Sequence, residues 1–248
     1  MRLQELFLVE TTEEDRALIS LADPLYSFLQ KYADQDLDWD DENTETLYVG
    51  KIGQILDTPF EGIDDIKIVI MSDSALLDRV RKENPGTKDA PGGLWDANTK
   101  SMIFNSDYLS SDFMKSTIAH ELRHMLDDVK SEYRVAASKR YSTPKDKEYR
   151  KSKNDPYAPD MKYLAQPAEI NARFVQVLNS LVPKIKRLAA LPQIEARNKA
   201  HKMLKYELEV HDVAGMFRDK NNSPDYKRLL KRGADFIDKE LQHVQSQK

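Results

Sequence analysis

Residues 112–131 read Asp112-Phe113-Met114-Lys115-Ser116-Thr117-Ile118-Ala119-His120-Glu121-Leu122-Arg123-His124-Met125-Leu126-Asp127-Asp128-Val129-Lys130-Ser131. Phe113, Ile118, Leu122, Met125 and Val129 fall on one stripe at helical spacing, and Ser110 or Ser111 can cap the start, so the stretch reads as an amphipathic helix. His120 and His124 are four residues apart on a neighbouring face. Their imidazoles therefore project together, with the spacing that a single tetrahedral zinc requires. Glu121, one position around the helix, is set to take a proton from metal-bound water without being a ligand itself. Two neutral nitrogen donors and one base answer three separate chemical needs. The plain alternative is a solvated helix whose histidines do nothing, and three further histidines, His201, His211 and His243, lie far downstream in polar helical sequence.

A catalytic zinc usually has three protein ligands and a water. A third histidine with a preceding glycine just after the motif is ruled out, because Asp127 and Lys130 hold those positions. The candidate is Glu169, in the first turn of a second strong helix that Gln166-Pro167 opens. Ala168 and Ala172 beside it are small enough to let two helices approach closely. A glutamate in a first turn also has an ordinary explanation, its favourable interaction with the helix dipole.

An H-E-x-x-H helix followed by a helix bearing a glutamate resembles the gluzincin metallopeptidases. His120 to Asp128, with Tyr163 ahead of Glu169, is most similar to the catalytic domain of anthrax lethal factor and its relatives. The resemblance covers about residues 90–180 and is specific at the metal motif. It implies an α+β zincin-like fold, with a small sheet beside the metal helix, and zinc held by His120, His124 and Glu169. It also implies hydrolysis of a protein or peptide substrate, with Tyr163 polarising the scissile carbonyl. Tyr163 is alternatively a packing tyrosine. Another gluzincin branch has an acidic residue four positions after the glutamate ligand. Arg173 stands there in this chain, so a partner for a zinc histidine is sought in Asp127 or Asp128.

The rest of the sequence sets the frame. Its 248 residues are 40% apolar, enough for a real core, and the net charge of −4 argues against a general nucleic-acid or membrane-surface binder. There are no cysteines, which excludes thiolate chemistry and suits a reducing compartment. No signal peptide and no apolar run of spanning length is read, so the expected setting is the cytoplasm, or a virion if the protein is phage-encoded.

Three segments are expected: a mostly helical 1–60, a catalytic core at 61–182 and a helical 183–248. Within the first, Thr11 and Glu14 have capping-box spacing, Pro24 should end or restart the helix, and the acidic 34–45 reads as a solvated loop. Ile66 to Met71 reads as a buried strand and Asp73 to Asn84 as a short helix. Pro91-Gly92-Gly93 breaks the chain ahead of a hairpin whose second strand, Ser101 to Asn105, is the expected edge for an extended peptide. The basic, tyrosine-rich 131–162 reads as an exposed insertion. Ser223 and Pro224 should open a last helix.

Two other functions fit parts of this pattern. One is a zincin-like structural or interaction protein, for example of a phage particle or secretion assembly, although no structural need for Glu121 is visible in the sequence. The other is a nucleic-acid-associated module using the basic region 130–153, which the overall negative charge disfavours.

Overall fold

The structure, a computed structural model, describes residues 12–33, 35, 37–39, 45–83, 85–129, 167–211, 213–217 and 223–247. Thr11, Tyr163 and the expected insertion at 131–162 lie outside these. Among the described residues the chain is mixed α+β, with seven helices and a small four-stranded sheet. Its contacts cluster into two units, 20–133 and 1–19 with 134–248. No described helix is long and apolar enough to cross a membrane.

Helix α1 (Thr12–Leu29) has its first residues in the discontinuous unit and the rest in 20–133. It runs through Pro24 without stopping, contrary to the expectation from sequence. Proline costs the helix one backbone donor, and here the apolar series around it, Leu18, Leu21, Leu25 and Leu29, is buried and keeps the helix going.

In the unit 20–133 the strands are β1 (Thr46–Lys51), β2 (Lys67–Met71), β3 (Gly93–Asp96) and β4 (Ser101–Asn105). A single helical turn, α2 (Ile52–Ile55), follows β1. The sheet order is β1-β2-β4-β3, with β2 and β4 parallel and the outer pairs antiparallel. The β3–β4 hairpin forms as expected, with Lys100 at φ 49° closing the turn. The edge expectation is corrected. Ser101–Asn105 is interior, paired on both sides and buried at every residue, and the edges are β1 and β3.

Side chains alternate across the sheet. Val69, Met71 and Ile103 pack with Leu76 and Ala90 on one face, where α3 (Asp73–Glu83) lies. Leu94 joins this cluster, so its neighbours Gly93 and Trp95 belong to the other face. There Gly93 meets helix α4 (Asp112–Val129): a Cβ on Gly93 would lie 2.9 Å from Thr117 Cγ2 and 3.3 Å from Glu121 Cγ. Only glycine allows this strand and helix to approach so closely. Ser111 starts α4 by accepting from the Phe113 N–H at 3.1 Å, and Ile118, Leu122 and Met125 are fully buried. Phe113, expected on the apolar stripe, is instead 51% exposed. The buried stripe of α4 starts at Met114, one position round the helix, and runs on through Ile118, Leu122 and Met125.

The unit of 1–19 and 134–248 is built on α5 (Pro167–Leu188), α6 (Gln193–Val210) and α7 (Pro224–Ser246). Phe174, Val177, Leu178 and Leu181 of α5, three and four residues apart, are buried. A Cβ on Gly233 would lie 2.6 Å from Leu204 Cδ2, so α6 and α7 touch through a glycine. Ser223 caps α7 by accepting from the Tyr226 N–H at 3.2 Å, with Pro224 at its start. Arg232, itself buried, grips the buried Asp15 with two nitrogens and stacks 5.0 Å from the Phe174 ring centre. The paired geometry offsets the cost of taking both charges out of water.

Candidate metal centre

Helix α4 brings His120 and His124 together. Their Nε2 atoms are 3.0 Å apart and the rings meet edge to face at 4.6 Å between centres. Both side chains are half-buried. Zinc–nitrogen bonds of about 2.05 Å at a tetrahedral angle would set two nitrogens about 3.3 Å apart. A few tenths of an ångström therefore separate this geometry from that of a shared metal. The ordinary alternative is a hydrogen bond between two neutral imidazoles, one donating and one accepting.

Glu121 is buried, and its Oε2 accepts from the backbone N–H of Trp95 at 2.8 Å. In the β3–β4 register, Asn105 donates its N–H to Gly92 O at 3.1 Å, which makes 94↔103 and 96↔101 the hydrogen-bonded pairs. The Trp95 N–H thus points out of the sheet edge, and Glu121 occupies it. This contact gives Glu121 a structural task that is not visible in the sequence. It also holds the carboxylate ready in one orientation. Arg123 and Asp127, both buried on the same helix, form an ion pair with each other, so Asp127 answers a guanidinium. Asp128 is half-buried at the helix end.

Glu169 is in the first turn of α5 and is 2% exposed. Arg173, one turn on, donates Nε–H to Glu169 Oε1 at 2.7 Å. This pair was not foreseen. A guanidinium four residues away fixes the carboxylate rotamer, as partners of metal ligands do. His211 is half-buried in the same unit, 3.5 Å from Glu207 Oε2. Burial pushes its pKa below 6.5; Glu207 opposes this, and Lys184 and Arg173 add to the lowering.

Among the described residues, His120, His124 and Glu169 make up a group that could hold a metal ion. The donor set, two imidazoles and a carboxylate, is the kind that suits zinc with a position left for water.

No family model, curated protein or solved structure matches the chain.

Proposed function

We propose that the chain is a zinc-dependent metallopeptidase of the gluzincin type, with His120, His124 and Glu169 as ligands and Glu121 as the general base. The observation that carries this reading is the 3.0 Å approach of two imidazole nitrogens on the helix that also holds a tethered, buried carboxylate. Bound zinc would supply a Lewis acid that polarises a carbonyl and brings the pKa of water toward about 7.

The protein's own groups do the rest. Glu121 takes the proton from the attacking water and passes it to the leaving amine. The Trp95 N–H limits the rotamers of Glu121, so less ordering is left for the reaction itself. Arg173 keeps the Glu169 carboxylate oriented. Tyr163 donates a hydrogen bond to the oxygen as negative charge builds on the carbonyl. A peptide substrate lies in extended form beside β3, the edge strand nearest Glu121, and pairs with backbone groups other than the Trp95 N–H that Glu121 holds.

The second reading is a zincin-like structural or interaction protein with little peptidase activity. The Trp95–Glu121 bond favours it, because it explains a buried glutamate without catalysis. A peptide library separates the two. Zinc-loaded wild type should cleave it, and Glu121→Gln, which still offers an oxygen to Trp95, should turn over at least about a hundredfold more slowly. No cleavage by the zinc-loaded wild type, or equal cleavage by both, removes the peptidase reading.

A further inference from the structure

The unit 20–133 has a concave surface on the sheet face away from α4. It is a groove of about 780 Å³ between α3 and the β1 side of the sheet. Leu76 of α3 packs with Val69, Met71, Ala90 and Ile103, with Leu94 against them, and the groove lies beside this cluster, with Thr46 and Tyr48 of β1 in its lining. Val69, Met71 and Ile103 form its floor, and Tyr48, 44% exposed, forms part of its side.

The two ends of the groove differ in chemistry, and the strand register shows how. Lys67 pairs with Ser101, and Ser101 pairs with Asp96, which holds Arg79 in an ion pair. Lys67, Arg79 and the Ser101 hydroxyl therefore gather at one end, with Lys82 one turn further along α3 and Thr99 beside them. At the other end Thr46 pairs with Met71, next to Ala75, and the lining is mainly apolar.

Three cations face one carboxylate, Asp78, in this lining. Arg79 is held in place by Asp96, which in turn accepts from the Thr99 hydroxyl at 2.7 Å and from the Asn98 N–H at 2.9 Å. Those bonds and Arg79 hold the Asp96 carboxyl below its usual range against the opposing effect of burial. No ion pair engages Lys67 or Lys82 among the described residues. Arg81 and Lys82 have an ordinary role too, since cations favour the last turn of a helix. That account does not reach Lys67, which sits at the start of a strand on the same groove.

From this juxtaposition we infer that the groove binds one small organic anion, a phosphate or carboxylate carried on an apolar or aromatic body. The anion meets Lys67, Lys82 and Arg79, and the body lies over Val69 and Met71 against the Tyr48 ring. The site is separate from the metal centre and does not depend on the peptidase reading.

Calorimetric titration of the full chain with phenyl phosphate and phenylacetate tests it, with inorganic phosphate and benzyl alcohol as halves of the same ligand. Saturable binding of one aromatic anion per chain is expected, tighter than either half alone and weakened by salt. Lys67→Ala with Lys82→Ala should weaken it by about tenfold or more, the loss typical of charge-assisted contacts. Both lysines are exposed, so the thermal unfolding midpoint of that variant should stay near that of wild type. Tyr48→Ala should weaken the aromatic anions and leave inorganic phosphate unchanged. The relative strength of the two aromatic probes tells phosphate from carboxylate. Failure of both aromatic anions to saturate in the millimolar range overturns the inference, as does binding that survives the double lysine variant intact.

Discussion

The backbone N–H of Trp95 donates to Glu121 Oε2 at 2.8 Å, so the proposed base is anchored to the edge strand of the sheet. Gly93 makes this reach possible, because any Cβ there would meet Thr117 Cγ2 at 2.9 Å. Gly93→Ala should push β3 away from α4 and loosen Glu121 without touching a metal ligand. Turnover is expected to fall by about tenfold to a hundredfold, with zinc content unchanged. Thr117→Ser removes the methyl in the way and should restore part of the loss in the Gly93→Ala background. Wild-type kcat in Gly93→Ala would show that the strand does not position the base.

Tyr163 tests the oxyanion assignment. A hydrogen bond that strengthens only as charge develops lowers kcat and kcat/KM together when it is lost. Tyr163→Phe should cost about a hundredfold in both and leave zinc content as it is. A tyrosine that merely packs would tolerate the change with wild-type kinetics.

Arg173 donates to Glu169 Oε1 at 2.7 Å and supports the carboxylate rather than the reaction. Arg173→Ala should weaken zinc about tenfold to a hundredfold in a competition titration with a chelator, the range seen when partners of metal ligands are removed. Glu169→Ala should weaken it further. If Arg173→Ala binds zinc like wild type, the ion pair serves only the helix.

His211 gives a pH test. Burial first, then Lys184 and Arg173, lower its folded pKa below 6.5, and Glu207 opposes them. The unfolded chain therefore takes up its proton first as pH falls. Stability from this group is complete above about pH 6.5 and declines as pH drops toward the depressed folded value. His211→Asn should remove that part of the acid-limb slope in urea midpoints measured between about pH 8 and pH 5. An unchanged slope in His211→Asn would contradict the assignment.

Local periodicity made much of this legible. The α4 and α5 stripes, the β3–β4 hairpin and the Ser223 cap follow from spacing and turn chemistry, because those signals lie within a few residues of one another. Strand β1 carries no such signal. Thr46-Leu47-Tyr48-Val49-Gly50-Lys51 is half-buried, bulged between Tyr48 and Gly50, and adjoins an acidic stretch that masks its pattern. Without a signal for β1, local pattern does not yield the long-range order β1-β2-β4-β3, and Ser101–Asn105 reads as an edge. At the metal centre the two histidines and Glu121 were visible at fixed helical offsets. The Trp95 anchor spans 26 residues and uses a backbone group, which no side-chain pattern reports. In the sequence Gly93 reads as a chain break, and its missing Cβ is what lets β3 reach α4.

The central claim is that His120, His124 and Glu169 hold one zinc ion, and metal analysis of the purified protein tests it most directly. Wild type dialysed against trace zinc should retain one equivalent by mass spectrometry. His120→Ala and His124→Ala, folded by circular dichroism, should retain almost none, and Glu169→Ala should lose most of it to a weak chelator. One equivalent of zinc held by either histidine variant, or none held by wild type, would contradict the account.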